Sequence, residues 1–115
     1  MTPDEKEQGD SRVGVVIPLY NRARIVPRTL QSVLEQAHQP ARLVIVDDGS
    51  TDGSAETAER WLARHDPSFE WTVIRAPHRQ AAAARNRGFS EVQDLPLVAF
   101  LDSDDYWPAD FLIRC

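Results

Sequence analysis

Four short apolar runs leave few folds open to this chain: Val13-Gly14-Val15-Val16-Ile17, Leu43-Val44-Ile45-Val46, Trp71-Thr72-Val73-Ile74 and Leu97-Val98-Ala99-Phe100-Leu101. Each is continuous rather than alternating, which is how strands buried on both faces of a parallel sheet read. Between them, apolar residues recur at helical spacing. Leu30, Val33, Leu34 and Ala37 form one stripe, with Pro27 where an early helical turn tolerates it. Ala55, Ala58, Trp61 and Leu62 form a second, opened by the hydroxyls of Ser50, Thr51 and Ser54, which can cap it. The third, Ala81 to about Val92, is rich in alanine, a strong helix former. The expected order is βαβαβαβ: an α/β open parallel sheet of about four βα units with right-handed crossovers.

In open sheets of this kind, ligands gather outside the carboxyl ends of the strands, where strand order reverses. An order of 3-2-1-4 makes strands 1 and 4 flank that reversal. The polar residues after strand 1 (Tyr20, Asn21, Arg22), after strand 2 (Asp47, Asp48) and after strand 4 (Asp102, Asp104, Asp105) then converge. Stability alone does not account for that convergence.

Asp102-Ser103-Asp104-Asp105 is the sharpest of these segments. Like charges packed so closely repel and raise one another's pKa unless a cation or donor groups sit among them. An oxygen-only cluster at a strand end suits a hard divalent ion, Mg²⁺ or Mn²⁺. The plainer alternative is a solvated turn, which Asp favours in any case.

The other motifs carry two readings each. Pro18 is expected to end ladder hydrogen bonding, and Tyr20 offers a face on which a nucleobase stacks, or is a half-buried loop residue. Asp47 or Asp48 can accept from a base N–H or from ribose hydroxyls, while the other serves as a turn residue. Gly49 permits a positive φ. Arg85, within Ala84-Arg85-Asn86-Arg87-Gly88, is either a clamp on a diphosphate or carboxylate or an exposed helical cation. His38, His65 and His78 share no ligand spacing and read as surface residues. Trp61 and Trp71 read as core, and Trp107 as core or a wall of the site.

Several function classes drop out. A formal charge of −5 argues against a nucleic-acid surface and against simple docking on anionic membrane. The single cysteine, Cys115, excludes a disulfide framework and a thiolate metal site and fits a reducing compartment. Residues 1–12 are polar, lack the apolar segment of a signal peptide and are expected to be a disordered tail, with residues 13–115 forming one domain. No apolar stretch nears the roughly 18 residues that span a bilayer. No Gly-x-Gly-x-x-Gly follows the first strand, which disfavours a dinucleotide cofactor, and no Walker-type loop is present.

Taken together, Val-Val-Ile-Pro-Leu-Tyr-Asn (15–21), Val-Asp-Asp-Gly-Ser-Thr-Asp-Gly-Ser (46–54), Ala-Arg-Asn-Arg-Gly (84–88) and Phe-Leu-Asp-Ser-Asp-Asp (100–105) resemble the family 2 glycosyltransferases of GT-A fold. The resemblance implies an inverting transfer of sugar from a nucleotide diphosphate-sugar, a UDP-sugar for preference, to an acceptor hydroxyl of a glycan, lipid or other molecule. By similarity, the donor-binding residues are Pro18, Tyr20, Asp47, Asp48, Arg85 and Asp102. Asp102 lies near the ribose in that scheme, Arg85 supports the ribose or the packing beneath it, and Asp104 or Asp105 holds the divalent metal of a DxD motif, Asp104 being favoured. No nucleic-acid partner is implied. The expected location is cytoplasmic, or peripheral at the inner membrane face through regions outside these 115 residues.

The chain departs from the family in two places. The family's catalytic base lies well C-terminal of the DxD motif, whereas this sequence ends ten residues past Asp105, at Cys115. It is therefore expected to hold the donor-binding N-terminal portion of a GT-A domain, unable to transfer sugar alone and with an uncovered sheet edge that favours aggregation. His78-Arg79-Gln80 also stands where the family commonly has Asn and Gly, which bears on loop shape near the donor. Two rivals are a non-catalytic nucleotide-binding remnant and a phosphoacceptor receiver-type signalling domain. The second requires an acidic pair after the first strand and a Lys after a fifth. Here the pair follows the second strand, and the only lysine is Lys6.

Overall fold

The structure, a computed structural model, describes residues 12–78, 81–103, 107–109 and 111–114. Its elements are β1 (Val13–Leu19), α1 (Val26–Leu34), β2 (Arg42–Asp48), α2 (Ser54–His65), β3 (Glu70–Ala76), α3 (Ala81–Ser90), β4 (Leu97–Phe100) and α4 (Phe111–Arg114). The sheet runs β3-β2-β1-β4 with every pair parallel, the sense that the apolar runs predict and the order under which the loop residues converge.

Strand alternation sends side chains to two cores. Val15, Ile17, Leu19, Leu43 and Ile45 pack with Val26, Leu30 and Val33 of α1 and Ala58 and Leu62 of α2. Val16, Val44 and Val46 face the other way, against Ala84 of α3 and Val92. Only the central strands are buried along their length. β1 is buried throughout, whereas β3 and β4 alternate or stay half-exposed because each has one strand neighbour and incomplete helix cover. The uniform burial expected of all four runs therefore holds for two.

Pro18 does not end its strand. β1 continues to Leu19, with Pro18 opposite Val46 and Leu19 opposite Asp47. The Val16 carbonyl accepts from Leu101 N on the β4 side, so Pro18, two residues on, also faces that side. β4 has ended there, at Phe100 opposite Val16, and a missing N–H leaves no ladder bond unmade.

α1 ends at Leu34, so Ala37, expected on its stripe, lies beyond it and is exposed. The chain after β4 is tied to α1 and to the turn that follows it. Thr29 Oγ1 donates to Ser103 O, Gln36 Nε2 donates to Pro108 O, and Gln36 Oε1 accepts from Leu112 N. Trp107 is buried and stacks on Phe111 at 4.4 Å, which makes it core. Trp61 and Trp71 pack at the core margin. α3 approaches the sheet closely at Gly88, where an added Cβ would stand 2.3 Å from Val16 Cγ1. Among the described residues, no helix is long and apolar enough to cross a membrane.

Candidate functional site

A cleft of about 580 Å³ opens at the carboxyl ends of β1, β2 and β4. Pro18, Tyr20 and Arg22 enter from β1, Asp48 from β2, Arg85 from α3, and Asp102 with Ser103 from the segment after β4. Of the expected donor residues, Pro18, Tyr20, Asp48, Arg85 and Asp102 all line this one cleft. Asp47 does not. It projects to the opposite face of β2 and is 4% exposed; its Oδ2 accepts from Ser50 N, and its Oδ1 has no hydrogen-bond partner. Asp104 and Asp105 lie outside the described residues, as do residues 1–11 of the expected tail.

The loops that follow β1 and β2 are stitched together next to the cleft residues Tyr20 and Arg22. Asn21 N donates to Ser50 Oγ at 2.9 Å, Arg22 N to Ser54 Oγ at 2.8 Å, and Ala23 N to Asp52 Oδ2 at 3.1 Å. In return, Thr51 N donates to Asn21 Oδ1 at 2.8 Å. Asn21 adopts φ 50°, a left-handed conformation that Asn tolerates better than most residues. The hydroxyls expected to cap α2 are spent on this cross-loop clamp. The N-cap position is Gly53 instead, φ 82°, with no side-chain cap. Tyr20 and Arg22 flank the clamp, so it sets where they stand.

Electrostatics reinforce the clamp. The Ser54 hydroxyl bonds to Asp52 and, with the Ala23 and Ser54 amides, holds the Asp52 carboxyl below its ordinary 3.8, against a smaller opposing effect of burial. On the cleft wall, Arg85 Nη2 stands 3.2 Å from Asp102 Oδ1.

His78 was not among the residues expected to form the site. Its ring stacks on Tyr20 with centroids 4.3 Å apart and planes at 26°, and Nδ1 lies 3.0 Å from Asp48 O and 3.1 Å from Asp48 Oδ2. Both neighbours of Nδ1 are acceptors, so Nδ1 carries a proton. The histidine follows β3 by two residues, and the carboxyl-end rule, applied to the third strand as well, finds it. His65 stacks on Trp61, away from the cleft.

Asp102 is the one described carboxylate of the 102–105 cluster, and the described residues hold no group of three potential metal ligands. Its exposed oxygens at the cleft suit a hard cation in kind.

A family model described as glycosyl transferase family 2 matches residues 14–115. An uncharacterized glycosyltransferase of Nostoc sp. is 40% identical over 103 residues, which cover 90% of this chain and 31% of that protein. The crystal structure of S. aureus TarS 1-349 in complex with UDP superimposes with a TM-score of 0.77 at 25% identity, covering 90% of this chain and 30% of TarS 1-349. A mannosyltransferase of Pyrobaculum calidifontis, in complex with GDP-Man and Mn²⁺, gives 0.73 at 31% identity, covering 85% of this chain and 29% of that one. The chain thus spans about a third of the length of these relatives.

Proposed function

Because this chain belongs to glycosyl transferase family 2, we propose that its cleft binds a nucleoside diphosphate-sugar, a UDP-sugar for preference. In this reading the chain supplies the donor-binding half of an enzyme that transfers the sugar to an acceptor hydroxyl with inversion at the anomeric carbon, and does not transfer sugar alone. The supporting observation is that Pro18, Tyr20, Asp48, Arg85 and Asp102, drawn from four separate segments, line one cleft at the reversal of strand order.

Tyr20 and Asp48 form the base end. Arg85 and Asp102 form the ribose and diphosphate end, where the guanidinium offers planar donors to phosphate oxygens. Asp47 acts from behind the cleft by accepting from the amide of Ser50, the residue whose hydroxyl accepts from Asn21 N. A divalent ion held by Asp104 or Asp105, Asp104 being favoured, would supply charge stabilisation to the departing diphosphate. Relatives of this fold bind UDP in one case and GDP-Man with Mn²⁺ in another, in keeping with such a site.

Calorimetric titration of the 115-residue chain with UDP in the presence of MnCl₂ tests the reading. Saturable binding that is lost in Asp104→Ala and retained in Asp94→Ala, an exposed partner of Arg42 outside the cleft, is expected. Absence of UDP and GDP binding with and without metal would overturn it.

A further inference from the structure

We propose that Thr29 and Gln36 are positioning residues for the acidic segment after β4, fixing from behind the cleft the backbone that carries its carboxylates. The inference rests on the nucleotide-sugar reading above and adds to it two residues that do not line the cleft.

α1 buries two different sets of side chains. Val26, Leu30 and Val33 are apolar and pack into the core beneath the sheet. Thr29 and Ser32 on α1, and Gln36 two residues past its end, form a second set, none of them more than 6% exposed. They are linked in a row: Ser32 Oγ donates to Thr29 O at 2.7 Å, and Gln36 Nε2 donates to Ser32 O at 3.1 Å. A buried hydrogen bond adds modest net stability, so packing alone does not call for a polar row here. What a satisfied polar set adds is one unique arrangement of its partners.

The remaining partners all lie in the chain after β4. Thr29 Oγ1 donates to Ser103 O at 2.9 Å. Gln36 Nε2 donates to Pro108 O at 2.6 Å, and its Oε1 accepts from Leu112 N at 2.9 Å. Ala37 N adds a bond to Ala109 O at 2.9 Å. On the sheet side, Leu101 N donates to Val16 O at 3.0 Å. The backbone is thus pinned on either side of Asp102, whose carboxylate opens on the cleft. In sequence, Asp104 and Asp105 fall between the anchors at Ser103 and Pro108. Carboxylates carried between fixed points have less freedom to lose when an ion binds, and groups that orient ligands in this way tune metal affinity.

Mn²⁺ affinity at saturating UDP, read from the EPR signal of free Mn²⁺, separates this role from a structural one when set beside UDP affinity in EDTA. Thr29→Val removes the hydroxyl at nearly constant volume. It is expected to weaken Mn²⁺ binding roughly tenfold, with metal-free UDP affinity unchanged. Thr29→Ser keeps the donor and is expected to bind Mn²⁺ as wild type does. Gln36→Met, close in shape but unable to hold Pro108 O or Leu112 N, is expected to lose Mn²⁺ affinity as Thr29→Val does. Wild-type Mn²⁺ affinity in both variants, or equal losses of Mn²⁺ and metal-free UDP binding, would overturn the inference. If Asp104→Ala abolishes Mn²⁺ binding while Thr29→Val and Gln36→Met retain it, the donor reading stands and the positioning role alone falls. The same holds if the wild-type chain binds UDP with no dependence on Mn²⁺. If the wild-type chain binds no UDP, both fall.

Discussion

Arg85 on α3 and Asp102 beyond β4 stand 3.2 Å apart, an ion pair that joins two cleft walls while each side chain stays about half exposed. Exposed pairs of this kind contribute little to stability, ~0–1 kcal/mol. Arg85→Ala is therefore expected to move the urea midpoint only slightly. Its effect should appear in UDP affinity, because the guanidinium is proposed to meet the diphosphate. Arg85→Lys should not restore that affinity, since a point charge lacks the planar fork. Paired denaturation and calorimetry on both variants check this, and a large stability loss with unchanged affinity would refute it.

Gly88→Ala should destabilise the fold although alanine is the better helix former. The new Cβ would meet Val16 Cγ1 at 2.3 Å and Val46 Cγ2 at 3.2 Å, both buried strand side chains with little room to yield. Overpacking of this sort costs about 1–3 kcal/mol, against a helix gain of about 1 kcal/mol. Urea unfolding of the single variant decides the sign.

Asn21 makes the clamp between the two loops in two separable ways. Asn21→Gly keeps the left-handed backbone and loses the bond from Thr51 N, while Asn21→Ala loses the bond and adds strain. The alanine variant should be the less stable by about 1 kcal/mol. Both should bind UDP more weakly, because Tyr20 and Arg22 flank this residue. Equal stability of the two variants in urea would show that the backbone at position 21 is unstrained.

The clamp also predicts an acid response. Asp52 is held below its ordinary 3.8, chiefly by the Ser54 hydroxyl, so the folded state binds its proton less readily than the unfolded chain does. The stabilisation is present above 3.8 and is lost as pH falls through the lower folded value. Asp52→Asn should flatten that part of the stability profile below pH 3.8 and leave the profile near neutrality parallel to wild type. Denaturation midpoints taken from pH 5 down to pH 3, a window that brackets the ordinary carboxylate value, measure it.

Much of the fold was legible in the chain. Continuous apolar runs separated by helical stripes gave the element order and the parallel sense, because the two periodicities are short-range and survive without tertiary context. Pro18 reads as a strand terminus but lies inside β1, since a missing N–H matters only on a side where a partner strand continues, and β4 stops before reaching it. The hydroxyls of Ser50 and Ser54 read as helix caps and are not, for a similar reason. Their acceptor oxygens serve Asn21 and Arg22, residues far off in sequence that only folding brings near. His78 carried no ligand spacing, and its stack on Tyr20 joins the ends of two strands that are not neighbours in the sheet.

Asp47 and Asp48 mark the division most clearly. The sequence by itself determined that two carboxylates end β2, and that adjacent residues of a strand must face opposite ways. Which of them meets the cleft was decided by the tertiary structure alone. α3 crosses the face shared by Val44, Val46 and Asp48, while α1 and α2 close over the face of Leu43, Ile45 and Asp47. Chain connectivity on the two sides of one sheet thus turned Asp48 toward His78 and the cleft, and sealed Asp47 behind it.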